Sequence, residues 1–267
     1  MKKLSSADYE PMLEAILLKL NVKTEIPVLI CGMAGAAQGW QEAKYRNVPS
    51  QLNDISEHAI KVKTKSRDVR ILPGLCQRVK TNPDVMRGEE TLLLGASSKG
   101  CDFETYCMPG THSKWVWLGE GEIQSFQTFM TGELYALLSE HSTLATFMNN
   151  NQSSLHEYPA FINAVDAIHQ NSASLTSLLF SLRSGALLFS SEDLTANAAS
   201  LSGLCIGAEF TSIEFDKLNN VGLIAQGNLA SAYSKVMDHL GINFELIDSH
   251  DLALEGLNFC AKKIWPN

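Results

Sequence analysis

The spacing of apolar residues predicts the first elements of the chain. Over Tyr9–Leu20 apolar side chains recur with the period of a helix. The short apolar run Ile26–Cys31 has the length of a buried strand and ends in a loop that contains glycine. Arg67–Leu72 also predicts a strand, which Pro73-Gly74 closes. The polar stretch Pro83–Thr91 predicts a loop, which leads into a helix over Glu90–Ser97.

A turn between two apolar runs marks the middle of the chain. Thr105–Met108 and Trp115–Leu118 are typical of strands, and Pro109–Lys114 between them predicts the turn of a hairpin. A further strand is predicted over Ile123–Phe126, and a helix is predicted over Gly132–His141.

Helical periods dominate the next part of the chain, from Thr143 to Ala199, and strands then alternate with helices. The last predicted elements are a helix over Leu201–Phe215, a strand over Val221–Ala225, a turn at Gln226–Asn228, a helix over Leu229–Leu240, a strand over Asn243–Ile247 and a helix over Leu252–Ile264. This alternation favours an α/β fold. We expect two lobes, residues 1–100 and 101–267, because the character of the sequence changes near residue 100.

Composition narrows the class of protein. The chain has 267 residues, of which 45% are hydrophobic and 19% charged, as in a globular protein with a sizeable core. Its net charge of −8 argues against nucleic acid and anionic membranes as partners. The first residues lack the apolar core of a signal peptide, and no apolar run has membrane-spanning length. We therefore expect a cytoplasmic protein with small-molecule partners, for which an oligomeric state is possible.

Cysteine and histidine spacing gives no metal site. The six cysteines are scattered without a Cys-x-x-Cys pair, which indicates thiols in a reducing compartment. His112 and His141 do not have the spacing of a metal pair. The sequence also lacks the Gly-x-Ser-x-Gly and Walker motifs, so neither a serine hydrolase nor a P-loop site is expected.

The turn Pro109–Lys114 could hold an anion. Gly110 allows close backbone approach, Thr111 and Ser113 carry hydroxyls and Lys114 carries a cation, so the turn could surround a phosphate. For such a turn taken alone, an ordinary β-hairpin is the stronger interpretation. Gly227 begins a second candidate segment, where a strand is followed by a turn and a helix, but a glycine there is equally a tight connection.

Charged residues cluster where the loop after Pro83 becomes a helix. Glu89 or Glu90 could accept a proton from a substrate hydroxyl, although acidic residues also simply favour helix N-termini. Arg87 could bind a carboxylate or phosphate through two parallel hydrogen bonds, and the alternative is a surface ion pair.

Several segments, read in order, closely resemble the 2-dehydro-3-deoxygalactonokinase family. They are Cys31–Trp40, Met86–Thr91, Leu94-Gly95, Met108–Trp115, Thr128–Leu134, His141-Ser142 and Leu201–Glu209. The resemblance covers nearly the whole chain. It implies two ribonuclease-H-like lobes of the sugar kinase, Hsp70 and actin type, in which the N-terminal lobe binds the sugar acid and the C-terminal lobe binds nucleotide. It also implies phosphorylation of 2-dehydro-3-deoxy-D-galactonate at its 6-hydroxyl with ATP and Mg²⁺, in galactonate catabolism.

The resemblance assigns a role to each candidate segment. Glu89, with Glu90 as the alternative, occupies the place of the catalytic base. The implied nucleotide-binding residues are Gly110, Thr111, His112, Ser113, Lys114 and Gly227. The implied substrate-binding residues are Gln38, Trp40 and Arg87. No metal ligand from the chain itself is implied.

The start of the chain departs from the family pattern. Members begin with a strand and an Asp-x-Gly-Ser/Thr turn that contacts phosphates and holds Mg²⁺, and Met1–Leu20 contains neither. We therefore expect an incomplete N-terminal lobe and strongly reduced kinase activity. The alternatives are an inactive remnant that binds a sugar acid, a nucleotide or a partner protein, and an actin-like nucleotide-binding module with another acceptor.

Overall fold

Strands and helices alternate through the chain, as the sequence predicts for an α/β protein. The computed structural model describes residues 5–149, 154–170, 174–189, 193–214, 218 and 220–266. The chain divides into two units, each built from segments that are distant in sequence. Unit 1 comprises Met1–Asp102, Val116–Phe126 and Ser249–Asn267, and unit 2 comprises Phe103–Trp115 and Gln127–Asp248.

The first segment of unit 1 ends at Asp102, and its last segment is at the C-terminus; the two lobes 1–100 and 101–267 stay a prediction. Helix α8 (Leu252–Ile264) belongs to unit 1, where it packs against helix α2 (Glu89–Ser98). Leu252 and Cys260 of α8 are fully buried. Sequence spacing could not reveal this return, because an amphipathic helix shows which face it buries but not its partner.

Unit 1 contains two small sheets. In the first, β1 (Val28–Ile30) is parallel to β5 (Val69–Ile71), and β5 is antiparallel to β4 (Ile60–Val62). The second has the order β2 (Arg46–Asn47), β6 (Leu75–Val79) and β7 (Asn82–Met86). Helix α1 (Ser6–Lys19), β3 (Ser50–Gln51) and two 3₁₀ helices, Gly32–Gly35 and Leu52–His58, complete the N-terminal segment.

The predicted loop over Pro83–Thr91 is wrong in its first half. Residues Asn82–Met86 form β7, antiparallel to β6, with Pro83 opposite Arg78. Because β7 is the last strand of its sheet, the missing N–H of Pro83 costs no interior ladder bond. The predicted helix is confirmed and begins at Glu89.

The core of unit 1 lies beside the β1–β5–β4 sheet. Its buried cluster consists of Trp40, Ala43, Val62, Val69 and Ile71. The ring of Tyr9 in α1 stacks on Trp40, with ring centroids 5.8 Å apart. Val69 and Ile71 are buried and Arg70 between them is half-buried, which is the alternation expected of a strand.

Unit 2 is built on strands that follow the order β12, β11, β8, β9 and β10. The central strand β11 (Val221–Ala225) is buried along its length and runs parallel to both β8 (Thr105–Met108) and β12 (Phe244–Asp248). The predicted hairpin is confirmed, since β8 lies beside β9 (Ser113–Gly119). Strand β10 (Glu122–Phe129) follows. The segment Val116–Phe126, which covers parts of β9 and β10, belongs to unit 1, and within that unit Ile123 pairs with Ser50.

Helices supply the rest of unit 2. They are α3 (Thr131–His141), α4 (Pro159–Gln170), α5 (Leu175–Leu188), α6 (Leu194–Phe210) and α7 (Gly227–His239), with 3₁₀ helices at Ala145–Phe147 and Leu155–Glu157. Helix α6 is buried along much of its length and packs on α3, α4 and α5. It begins before the predicted Leu201, where Asp193 accepts N–H bonds from Thr195 and Ala196 as an N-cap. Among the helices of the described segments, none is both long and apolar enough to cross a membrane.

Candidate functional site

The turn between β8 and β9 is fastened to the start of helix α3. The N–H of Glu133 donates to the carbonyl of Thr111 at 2.9 Å, and the ring Nε2 of His112 lies 2.5 Å from the Glu133 carboxylate. Gly110 is half-buried, whereas Thr111 and His112 are exposed. The tip of the turn thus presents backbone and a hydroxyl on a rigid support.

Two residues of the predicted phosphate-binding turn, Ser113 and Lys114, are buried, and their contact with phosphate stays a prediction. The hydroxyl of Ser113 is fully buried and donates to the carboxylate of Glu209 at 2.8 Å. Lys114 is 3% exposed, and its Nζ lies 3.4 Å from the carbonyl of His112. The first four residues of β9 are all buried. Ser113 and Trp115, two residues apart on one face of the strand, both donate to Glu209.

A cavity of about 320 Å³ lies in unit 2 beside this turn. Gly110 and Thr111 line one side, and Asn228 and Leu229 at the start of α7 line another. The remaining wall comes from helices α3, α6 and α7 and the segment before α4: Thr131, Gly132, Tyr135, Ala136, Leu155, His156, Ser202, Cys205, Ile206, Ala232 and Tyr233. The wall is largely apolar, as expected for a pocket that holds a flat organic group.

Gly227 stands next to this cavity without lining it. It is the first residue of α7 and has φ +58°, a conformation that favours glycine. The structure therefore brings together the turn at Gly110 and Thr111 and the segment that follows Gly227. Both had been predicted separately from sequence.

Glu209 is a buried carboxylate of unit 2 to which the sequence analysis assigns no role. It is 2% exposed and accepts four side-chain hydrogen bonds, from Ser113, Trp115, Thr131 and Tyr233. Burial raises its pKa, although the four donors oppose the rise. A glutamate inside an otherwise small and apolar stretch, Leu201–Phe210, was the available signal, because an unpaired buried charge is rare.

Arg87 is a buried cation of unit 1. Its three guanidinium nitrogens are buried, and none has a hydrogen-bond partner among the described residues. The guanidinium lies over the ring of Tyr45, 4.2 Å from its centroid, and beside Gly35, where a Cβ would lie 2.9 Å from Nη1. A buried guanidinium with five unused donors is suited to a bidentate anion.

Glu89 and Glu90 both accept backbone N–H groups at the start of α2. A Glu89 oxygen accepts the N–H of Arg87 at 2.8 Å, and both Glu90 oxygens accept the N–H of Gly88, at 2.9 and 2.8 Å. Gly88 is the N-cap residue, with φ +112°. This geometry agrees with the capping alternative, and the proton-accepting role stays a prediction.

The two glutamates differ in their surroundings. Glu90 is fully buried, and this burial, followed by the nearby charge of Glu89, raises its pKa to about 8. Glu89 is half-buried. Of the two, Glu89 is therefore the one whose carboxylate a substrate could approach.

The other two predicted substrate-binding residues, Gln38 and Trp40, differ in how exposed they are. Gln38 is exposed in the segment after the 3₁₀ helix Gly32–Gly35. Trp40 is 8% exposed and belongs to the core, and its carbonyl accepts the hydroxyl of Ser6 at 2.7 Å. The Trp40 side chain is thus engaged in packing, and its predicted contact with substrate stays a prediction.

Within the described segments, no three His, Cys, Asp or Glu side chains are grouped so as to hold a metal ion. A metal ion used with a nucleotide can instead be held largely by its phosphates.

Comparison with known proteins identifies the family. A sequence model described as 2-keto-3-deoxy-galactonokinase matches residues 1–260. The chain is 39% identical over 261 residues to a curated 2-dehydro-3-deoxygalactonokinase of Rhizobium meliloti (strain 1021), covering 97% of this chain and 85% of that protein. It is 34% identical over 219 residues to the 2-dehydro-3-deoxygalactonokinase of Escherichia coli (strain K12), covering 80% of this chain and 71% of that protein.

A solved structure agrees with these matches. The crystal structure of a 2-dehydro-3-deoxygalactonokinase protein from Sinorhizobium meliloti superposes with a TM-score of 0.92 at 38% identity, covering 97% of this chain and 85% of that one. The resemblance in sequence and the mixed α/β fold are both confirmed. This chain belongs to the 2-keto-3-deoxy-galactonokinase family.

Proposed function

We propose that this chain is a carbohydrate kinase that transfers the γ-phosphoryl group of ATP to the 6-hydroxyl of 2-dehydro-3-deoxy-D-galactonate. Family membership and the names of two relatives support the reaction. In this chain, the environment of Arg87 is the observation that supports a sugar acid as the phosphoryl acceptor. The Arg87 guanidinium is buried and has no hydrogen-bond partner in the described part of the chain, which fits the carboxylate of a sugar acid that a neutral sugar lacks.

The residues proposed to bind the sugar acid belong to unit 1. Two parallel N–H···O bonds from Arg87 would fix the carboxylate end of the sugar acid, while the ring of Tyr45 holds the guanidinium from its other face. Gly35 keeps the approach to Nη1 open, because any side chain there would meet the guanidinium. Exposed Gln38 and the Gly32–Gly35 segment are proposed to contact the sugar hydroxyls.

The residues proposed to bind the nucleotide belong to unit 2. The largely apolar cavity beside the start of α7 is proposed to hold the adenosine, and Gly110 and Thr111 are proposed to meet the phosphates. Backbone N–H groups and a hydroxyl can neutralise part of the phosphate charge. His112 and Gly227 support these segments from outside the cavity. Mg²⁺ is proposed to arrive with ATP and to neutralise the charge on its phosphates.

Glu89 is the proposed base. Its carboxylate would take the proton of the 6-hydroxyl as that oxygen bonds to the γ-phosphorus and the bond from γ-phosphorus to the β–γ bridging oxygen breaks, which releases ADP. Fully buried Glu90, hydrogen-bonded to the N–H of Gly88, is proposed to shape the helix start on which Glu89 stands.

Two wider features belong to the same proposal. Units 1 and 2 are proposed to be the two ribonuclease-H-like lobes of an actin-like ATPase fold, the first for the sugar acid and the second for nucleotide. The protein is proposed to act in the cytoplasm, where its six cysteines would stay reduced as thiols.

The test is an assay of ADP release with the purified chain, MgATP and 2-dehydro-3-deoxy-D-galactonate, with ³¹P NMR to identify a 6-phosphate monoester. Glu89→Gln should lower kcat by about 10²–10⁴-fold and leave ADP binding unchanged. Glu25→Gln is the matched control, because the Glu25 side chain is 70% exposed. ADP binding without turnover would favour the inactive remnant, and turnover with another acceptor would favour the general nucleotide-binding module.

A further inference from the structure

The position of Glu209 costs the folded protein free energy. It is the penultimate residue of α6, where the helix dipole disfavours a negative charge, and it is 2% exposed. Removing a carboxylate from water carries a penalty of several kcal/mol, which well-packed apolar side chains would avoid. Stability alone therefore does not account for a glutamate here.

The four donors to Glu209 come from the three elements around the proposed nucleotide site. Ser113 and Trp115 belong to β9, directly after the turn at Gly110 and Thr111. Thr131 begins α3, and Tyr233 lies on α7. Thr131 and Tyr233 also line the cavity. One carboxylate thus ties the turn and two cavity walls to α6.

The four donors are divided evenly between the two oxygens of the Glu209 carboxyl group. Oε1 accepts Ser113 at 2.8 Å and the indole N–H of Trp115 at 2.7 Å, and an indole can only donate. Oε2 accepts the hydroxyls of Thr131 at 2.5 Å and Tyr233 at 2.7 Å. A glutamine at this position would keep its oxygen towards Trp115 and turn its NH₂ group towards Thr131 and Tyr233. The hydroxyls of Thr131 and Tyr233 would then lose the oxygen that accepts both of them.

We propose that Glu209 is a positioning residue for the nucleotide site, which holds the phosphate-facing turn, the start of α3 and the wall of α7 in the arrangement that binds ATP. The inference rests on the proposed function, because it takes the cavity in unit 2 as the nucleotide site. Glu209 itself touches the supporting side chains and acts through them.

The test compares Glu209→Gln with the unchanged chain. ADP binding is measured by titration calorimetry, and KM is measured separately for ATP and for the sugar acid. We expect roughly tenfold weaker ADP binding and a similar rise in KM for ATP, with KM for the sugar acid unchanged. A folded variant that binds ADP within about twofold of the unchanged chain, whatever its melting temperature, would overturn the inference.

Two smaller substitutions test the positioning role of Glu209 if the Glu209→Gln variant does not fold. Ser113→Ala and Tyr233→Phe each remove one donor, from opposite oxygens of the carboxylate. Both should weaken ADP binding, and their combined effect should depart from the sum of the single effects, since both act through Glu209. Additive or absent effects would overturn the inference. Ser139→Ala is the control, because this buried serine of α3 donates to the carbonyl of Ala136 and not to Glu209.

The outcomes separate this inference from the proposed function. An unchanged chain that binds no ADP would refute both the nucleotide site and the role of Glu209. An unchanged chain that binds ADP, beside a Glu209→Gln variant that binds it equally well, would refute the role of Glu209 alone.

Discussion

Replacing Arg87 with methionine should raise the stability of the free protein and weaken its binding of the sugar acid. The guanidinium is buried without a hydrogen-bond partner among the described residues, so the folded protein bears the cost of its desolvation. Methionine has a similar length, no charge and enough flexibility to fill the space beside Tyr45. The two effects have opposite signs, which an ordinary structural residue would not produce.

The magnitudes follow from the contacts. The effective penalty for burying an ion is several kcal/mol, of which a cation–π contact such as that with Tyr45 returns about 0.5–2 kcal/mol. We therefore expect Arg87→Met to raise the free energy of unfolding by roughly 1–2 kcal/mol. Truncating one partner of a buried charge pair costs about 2–5 kcal/mol in binding, which is roughly 30- to 5,000-fold in affinity for the sugar acid.

Urea denaturation without ligand measures the first effect, and KM for the sugar acid measures the second. Arg67→Met is the matched control, because Arg67 is also buried in unit 1 but donates to Glu14, to the carbonyl of Lys23 and to that of Ile26. Arg67→Met should lower stability and leave KM unchanged. A loss of stability in Arg87→Met, with an unchanged KM, would show that Arg87 is a structural residue and refute the reasoning.

Two further substitutions test other parts of the site. Glu90 has a pKa raised to about 8 in the folded protein, above its ordinary 4.5, so its contribution to stability is present below about pH 4.5 and is lost as the pH rises through 8. In the unchanged protein, the free energy of unfolding from denaturation curves should therefore fall by roughly 2 kcal/mol between pH 6 and pH 9. The Glu90→Gln variant should lack this fall, and parallel pH profiles of the two proteins would contradict the prediction. Gly132→Ala would place a Cβ 2.5 Å from the carbonyl oxygen of Gly110 and so displace the phosphate-facing turn. We expect this change to lower kcat/KM for ATP on the order of 10²-fold. Gly185→Ala is the control and should leave kcat/KM unchanged, because nothing lies within 4 Å of a Cβ at that position. Equal kinetics for the two variants would rule out the proposed role of the turn.

Local patterns predicted much of the fold. The fully apolar run Val221–Ala225 is the central strand of unit 2, and the strands around Pro109–Lys114 form the expected hairpin. The loop predicted at Pro83 was wrong because proline is tolerated on an edge strand, and a sequence does not show which strand lies at an edge. The return of α8 to unit 1 depends on a contact between residues far apart in the chain, which periodicity does not encode.

The site was predictable to a smaller extent. Residue type identified Arg87, and the structure adds that its guanidinium has no partner among the described residues. Residue type could not tell the exposed Thr111 from the buried Ser113, since that difference depends on where strand β9 begins. Glu209 was within the matched family segments, but its importance depends on four donors brought together by folding.

The attachment of the turn to α3 also makes one amide a reporter of local motion. The Glu133 N–H is held by the carbonyl of Thr111, outside the repeating hydrogen bonds of its own helix. Its exchange with solvent deuterium therefore requires the turn to leave the helix start and not the helix to unwind. The exchange rate of this single proton measures how often the turn opens, and a ligand that bridges the turn and α7 would slow it without any change in the fold.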